Sequence, residues 1–493
     1  MKANKTFGLA VLFQLIGLCC GAQIAFEYSY SSGRNDQARA VVQAADRGYA
    51  VVGSTVSYEG NTDVYLMKTN EFGIFQWAKR FGSLGVEWGE DIVQTTDSGF
   101  AILGYGNQNG VYDMLFIKTD KNGDSIFTKL IGEADWDFGY ALKETSDRGF
   151  ILAGETYNNG DSKAYLVKLD SSGNVQWKKS FGTSLTSKFE DIIIAKNGDF
   201  VMAGETSSFG NGRQVYVVRT DSAGTLLWEK NFGNPGIDFA KGITQVGSDF
   251  VFAGATNRPP YPDLDNWIGK VDSLGNLLQD SKVVDYSPTS PTTQNDDWNE
   301  TVINYNDSLV FAGKRTYHNG EPGNVYIYRF GSNINAGRQD EFQKFISPNT
   351  EIAYDAFHTA DNGIIFACTG EFMDSSESSI YLIKIDSSLT FPNPIDENVT
   401  KQNDYTSLSE RKEEINFSIY PNPVNSVATI RLDKFAGETV TIKVIDAFGK
   451  LVFENNTNEK TFQFDVSAYN SGIYFVKVSS RDFVTTKRLV ITK

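Results

Sequence analysis

Histidine is almost missing from this 493-residue chain, which has only His318 and His358. A histidine-based triad would have to draw on one of them, and neither lies in a nucleophile motif. Cysteine is limited to three residues and His is nowhere clustered, so His–Cys zinc spacing is absent and neither metal nor cofactor is expected. Proline (12) and methionine (5) are few, whereas glycine reaches 45 and the aromatics include 35 Phe, 23 Tyr and 7 Trp. Many short strands joined by glycine-bearing turns give that mixture, and a helical bundle does not. Positive charge is short as well: 45 Lys and Arg face 61 Asp and Glu, a net charge of −16. That excludes nucleic acid and an anionic membrane surface as natural partners, because both reward basic residues.

Lys2 and Lys5 precede a mostly apolar run from Phe7 to Leu18, and Cys20-Gly21-Ala22 supplies small residues before Gln23. Residues 1–22 therefore read as a secretory signal peptide. Leu18 before Cys19 and Cys19 before Cys20 are poor contexts for lipidation. Cleavage after Ala22 leaves Cys368 as the single cysteine, so no internal disulfide is expected. No later apolar run approaches the roughly 18 residues needed to cross a bilayer.

Self-comparison reveals a repeat. The segment Asp46-Arg47-Gly48-Tyr49-Ala50-Val51-Val52-Gly53 recurs with its last glycine at Gly104, Gly154, Gly204, Gly254 and Gly313, and Cys368 ends the seventh copy. Four short strands fit into each unit of about 50 residues, the size of one propeller blade. The seventh repeat lacks a good fourth strand, and residues 24–30 precede the first repeat in the position of one. Pairing the two closes the ring and removes both open edges. The expected fold class is all-β: a seven-bladed β-propeller of four-stranded antiparallel blades over 23–386, closed by the N-terminal strand 24–30. A polar linker over 387–414 and a further β domain over 415–493 complete the chain.

Repeats one to four carry Tyr65-Leu66-Met67-Lys68 with Trp77, Tyr165-Leu166-Val167-Lys168 with Trp177, and Tyr216-Val217-Val218-Arg219 with Trp228. On these residues the chain resembles the bacterial seven-bladed propeller repeat family, which implies a fold and not an activity. Phe127 takes the tryptophan's place in the second repeat, the substitution a packing site tolerates, so the tryptophans are expected in the core. The tail carries Tyr420-Pro421-Asn422-Pro423, a central turn at Gly449, the strand opening Gly472-Ile473-Tyr474, and Lys487 in a last strand. In that order they resemble the C-terminal sorting domains of the type IX secretion system. The resemblance implies a small immunoglobulin-like β-sandwich, the type IX machinery as partner, a Bacteroidetes-type host, and a secreted or outer-membrane surface location.

Chemistry is harder to find. The Asp170-Ser171-Ser172-Gly173 turn offers one acid where calcium needs six to eight oxygens, so it reads as a hairpin. Thr145-Ser146-Asp147-Arg148-Gly149 copies half of a sialidase Asp-box and then departs from it. His358 reads as a strand residue. In a four-stranded meander the first–second and third–fourth turns share one face; the second–third loops and blade connections share the other. The second face carries the distinctive insertions at 257–265, 280–298 and 331–350, and recognition is expected there. Trp88, Trp136, Tyr261 and Trp298 are its candidate ligand-binding residues, and no catalytic residue is assigned. The expected function is a secreted or surface binding protein for a carbohydrate or protein. The alternative is a polysaccharide hydrolase or lyase working through carboxylates at the propeller axis.

Overall fold

The structure is a computed structural model, which describes residues 24–56, 60–82, 85–108, 110–183, 185–209, 212–258, 264–283, 296–316, 324–336, 338–344, 351–371, 377–389, 417–432, 439–446, 451–479 and 484–493. The signal peptide, the linker from residue 390 on, His318, Tyr261 and Gly449 lie outside these residues, as does much of each long insertion. Among the described residues there is no α-helix, only a 3₁₀ turn at Ile334–Ala336.

The repeats fold as seven four-stranded antiparallel blades. Blade three is typical, with strands Asp137–Glu144, Phe150–Asn158, Asp161–Leu169 and Val175–Phe181 paired in sequence order. Its second and third strands are buried on both faces, between neighbouring blades, which explains their unbroken apolar runs. The fourth strand is exposed on one face and reads as mixed polar and aromatic. The start of the third strand of blade four also pairs in parallel with the start of the first strand of blade five, Gly212 and Arg213 beside Gly236 and Ile237. The first strands of successive blades touch one another in a closed ring around the axis.

In blade seven, Glu351–His358, Ile364–Glu371 and Ser378–Ile385 are completed by Phe26–Tyr30 from the start of the chain. That strand pairs antiparallel with the third, Phe26 opposite Lys384 and Tyr30 opposite Ile380.

Each repeat motif has a physical role. The turn aspartate and the third-strand lysine form an ion pair: Asp46–Lys68 at 2.9 Å, Asp97–Lys118 at 2.9 Å, Asp147–Lys168 at 3.0 Å and Asp361–Lys384 at 2.9 Å. Burial alone would raise Asp97, but hydrogen bonds from Thr95, Lys118 and the Gly99 amide outweigh it and hold the acid at about 2. In the third–fourth turn, Asp170 Oδ1 accepts from the amides of Ser172 (2.9 Å) and Asn174 (2.8 Å), and Gly173 supplies the left-handed angle, φ 72°.

The recurrent tryptophans pack against the hydrophobic core as expected, but from its margin: they are half-buried rather than fully enclosed. Trp177 packs beside Phe200 and beneath the turn of the next blade, where a Cβ on Gly224 would come within 2.8 Å of the indole. Trp77 meets Gly123 and Trp228 meets Gly275 in the same way, and the Trp228 indole N–H donates to the Ser273 carbonyl at 3.0 Å. They fasten one blade to the next from an outer strand whose far side faces solvent.

The C-terminal part has two sheets. Phe417–Tyr420, Val427–Leu432 and Thr461–Asp465 form one; Leu451–Thr457, Val440–Asp446, Gly472–Ser479 and Val484–Ile491 form the other. Phe417, Ile430, Ile442, Val476 and Leu489 belong to the shared core of this β-sandwich.

Candidate functional site

The anchor glycine of the repeat leads to the most distinctive site. Every first strand carries a one-residue bulge opposite the second strand, between Ala38 and Ala40, Gly89 and Asp91, Gly139 and Ala141, Phe189 and Asp191, Ala240 and Gly242, Asn299 and Thr301, and Ala353 and Asp355. The strands crowd there: a Cβ on Gly104 would sit 1.7 Å from the Trp88 carbonyl oxygen, and one on Gly154 would sit 1.9 Å from that of Phe138. Blade seven keeps its bulge with Cys368 in that place, so glycine eases the bulge rather than dictating it. A bulge re-aims a side chain. Here it turns one residue per blade toward the axis: Arg39, Glu90, Tyr140, Glu190, Lys241, Glu300 and Tyr354.

These seven line one axial cavity of about 370 Å³. Its upper ring is a connected set of partners. Arg39 lies 3.7 Å from Glu90, and its guanidinium stands 4.3 Å over the Tyr354 ring. Glu190 binds Lys188 at 2.6 Å and Lys241 at 3.0 Å. Burial would raise Glu190, but Lys241 and Lys188 outweigh it and hold the carboxylate at about 2. Glu300 accepts from the Trp298 indole N–H at 2.7 Å. Tyr140 donates to Glu155 at 2.7 Å.

A deeper ring has Asp91, Asp191 and Asp355 around Lys143. Each acid clamps the next blade by accepting a backbone N–H: Leu142 to Asp91 at 2.8 Å, Ile243 to Asp191 at 2.9 Å, and Val41 to Asp355 at 3.0 Å. Burial pushes Asp355 up to about 7 and Asp191 up to about 6, in each case opposed by those N–H bonds and by Lys143.

Three of the four sequence candidates, Trp88, Trp136 and Trp298, lie among the described residues, outside the cavity lining. Trp88 and Trp298 are half-buried beside ring residues, Trp88 5.9 Å from the Arg39 guanidinium and Trp298 with Lys314 5.3 Å over its ring. Trp136 is 43% exposed. It belongs to an aromatic strip that sequence reading missed. Trp136 touches Tyr112 (6.0 Å), Tyr157 (5.9 Å) and Phe138 (6.3 Å), and Phe138 stacks on the axial Tyr140 at 6.4 Å and 3°. Tyr105 bridges Tyr112 and Tyr140. His358 ends a strand and packs against Tyr305 at 5.0 Å. Among the described residues no group of three or more His, Cys, Asp and Glu forms a metal site.

The seven axial residues had a detectable signal. In the first four repeats each stands fourteen positions before the anchor glycine: 39 and 53, 90 and 104, 140 and 154, 190 and 204.

In the C-terminal sandwich, Tyr420, Pro421, Asn422, Pro423 and Gly472 are exposed. The Asn422 side-chain oxygen accepts from the Val490 amide at 2.8 Å, the Val424 amide donates to the Val490 carbonyl at 2.9 Å, and the Val424 carbonyl accepts from the Thr492 amide at 2.8 Å, which ties the motif to the end of the chain. Lys487 stands 5.5 Å over the Phe417 ring, and Tyr474 donates to the Asn470 carbonyl at 3.1 Å.

Comparison with known proteins separates the two parts. Residues 418–492 match the secretion system C-terminal sorting domain family. The chain is therefore a type IX secretion cargo, delivered to the cell surface or released, and no helix among the described residues is long and apolar enough to cross a membrane. A 79-residue stretch is 34% identical to the ulvan lyase NLR42 of Nonlabens ulvanivorans, covering 16% of this chain and 14% of that enzyme. Among solved structures, the chain is similar to the polysaccharide lyase Uly1 (9% identity, TM-score 0.44, 74% of this chain and 100% of that one). It is also similar to the β-propeller domain of the Trilobed protease from Pyrococcus furiosus (11% identity, TM-score 0.43, 74% and 97%). These likenesses carry no statement about activity.

Proposed function

We propose that the exported propeller is a binding protein, which recognises a carbohydrate or protein ligand through the face where its blades are joined, around the axial cavity. One observation carries this reading: the axial carboxylates are already engaged. Glu90 faces Arg39, Glu190 is held by two lysines, Glu300 by an indole, and the three aspartates clamp backbone amides. A pair of acids working on a glycosidic bond must both reach the sugar, one giving up a proton and the other attacking or activating water, whereas Asp191 and Asp355, the acids that burial raises, are turned to backbone amides of the next blade. The competing reading, a polysaccharide hydrolase or lyase, draws on the meeting of six carboxylates in one cavity. Trp88, Trp136, Tyr261 and Trp298 remain proposed ligand contacts. The proposed organisation is a cleaved leader at 1–22, the propeller over 23–386, a linker over 387–414 and the sorting domain over 415–493.

The test is a glycan and protein array probed with the secreted chain, run beside a polysaccharide-degradation screen. Ligand capture without product release supports the reading. Reducing ends or unsaturated sugars that vanish with Glu90→Gln or Glu190→Gln reject it.

A further inference from the structure

The repeat supplies its own control for the aromatic strip. In five other blades a carbonyl at the start of the first strand accepts from an amide at the end of the second strand or just past it: Asn35 from Val56, Val86 from Asn107, Thr186 from Ser207, Ile237 from Asn257 and Asp296 from Thr316. Blade three makes the same bond at 2.8 Å with Trp136 and Tyr157. The bond is backbone to backbone, so the fold asks for no particular side chain, and only here among these pairs are both residues aromatic. The position of Tyr105, next after the anchor glycine, holds Ser54, Glu155, Glu205 and Ala255 in other blades. The aromatics therefore depart from the repeat at positions that the fold leaves free, and that points to a surface role.

We propose that this strip, from Trp136 at the rim to Tyr140 at the axis, is the track of a neutral polysaccharide chain. The proposal rests on the binding reading above and narrows its ligand to one class. Sugar rings offer C–H faces that pack on exposed indole and phenol rings, while their hydroxyl rims bond to flanking polar groups. Glu133 and Asp135 flank Trp136, and Tyr112 and Tyr157 are half-buried beside it. The inner end of the strip opens on a cavity lined by Glu90, Asp91, Glu190, Asp191, Glu300 and Asp355 against Arg39, Lys143 and Lys241. That balance, in a chain of net charge −16, repels a uronate or sulfated polymer. An extended peptide would gain its affinity from a free strand edge, whereas Asp137–Glu144 and Phe150–Asn158 are strands already paired within their blade.

The experiment is native affinity electrophoresis of the full secreted chain through gels holding neutral polymers (β-glucan, xylan, galactomannan) or acidic ones (alginate, polygalacturonate). Retardation by at least one neutral polymer is expected, weakened tenfold or more by Trp136→Ala. The melting temperature should fall by only a few degrees, because Trp136 is already 43% exposed and the strands beneath it stay paired. Phe209→Ala, an exposed aromatic outside the strip, should leave retardation unchanged. Retardation that Trp136→Ala does not weaken, binding confined to the acidic polymers, or no retardation on any neutral gel overturns the track. A protein ligand found on the array alongside such a result rejects the track and keeps the binding reading; an array without any ligand rejects both.

Discussion

Phe26 faces Lys384 across the closing strand pair, in the register where Trp77 faces Lys68 and Trp177 faces Lys168. The first strand thus carries the aromatic of the repeat into blade seven. Its ring packs against blade one, where a Cβ on Gly73 would come within 2.6 Å, and the Tyr30 hydroxyl donates to the Gly73 carbonyl at 2.6 Å. A residue near the N-terminus therefore joins the last blade to the first. Unlike Trp177 it is buried, at 6% exposure.

Phe26→Ala is expected to destabilise the propeller by about 3 kcal/mol, the usual cost of emptying a buried aromatic site. Deleting residues 23–31 is expected to abolish cooperative unfolding and to promote self-association through the bared third strand. Urea unfolding and light scattering check both. A deletion that unfolds normally would mean that closure contributes little.

Trp177→Ala is expected to cost less, about 2 kcal/mol, because the indole is half-buried and part of its contact area never leaves water. The urea midpoint reads the difference. A loss equal to that of Phe26→Ala would mean that the blade-to-blade contact, rather than burial, sets the cost.

Asp355 titrates at about 7 in the folded chain, raised by burial, against about 3.9 for an unfolded aspartate. Its folded form holds the proton more tightly, so its contribution to stability is fully present below pH 4 and is lost as pH rises through 7. Asp355→Asn keeps an oxygen for the Val41 amide and removes the titration. Relative to the parent, the variant is expected to gain of the order of 1–2 kcal/mol at pH 8 and nothing at pH 4. Paired denaturation curves at the two pH values give the comparison; an equal effect at both would assign the residue a purely hydrogen-bonding role.

Deleting residues 415–493 is expected to leave a folded propeller in the periplasm of a host with type IX secretion. Surface proteolysis and fractionation report its place. Normal delivery of the truncated chain would show that export does not depend on the tail.

The sequence by itself determined the repeat, the all-β class, the seven blades and the sorting domain. Each rests on local chemistry that recurs at fixed spacing: an Asp-x-Gly turn, a Tyr-x-x-Lys strand, an ordered set of tail motifs. It also placed Trp136 on the variable-loop side, from loop topology alone. Tertiary structure decided which side chains meet. Glu90, Glu190 and Glu300 look like surface acids in sequence, and they become neighbours only because a bulge in each blade turns them to a common axis. Tyr112 and Tyr157 lie on strands of two different blades and Trp136 just before a strand, and blade packing gathers them into one strip. Trp177 reads as core, and it packs at the core's margin: a repeated aromatic signals packing, but not whether the far side of its strand faces protein or water. Periodicity encodes what every blade shares, while the site consists of what differs between blades and meets across them.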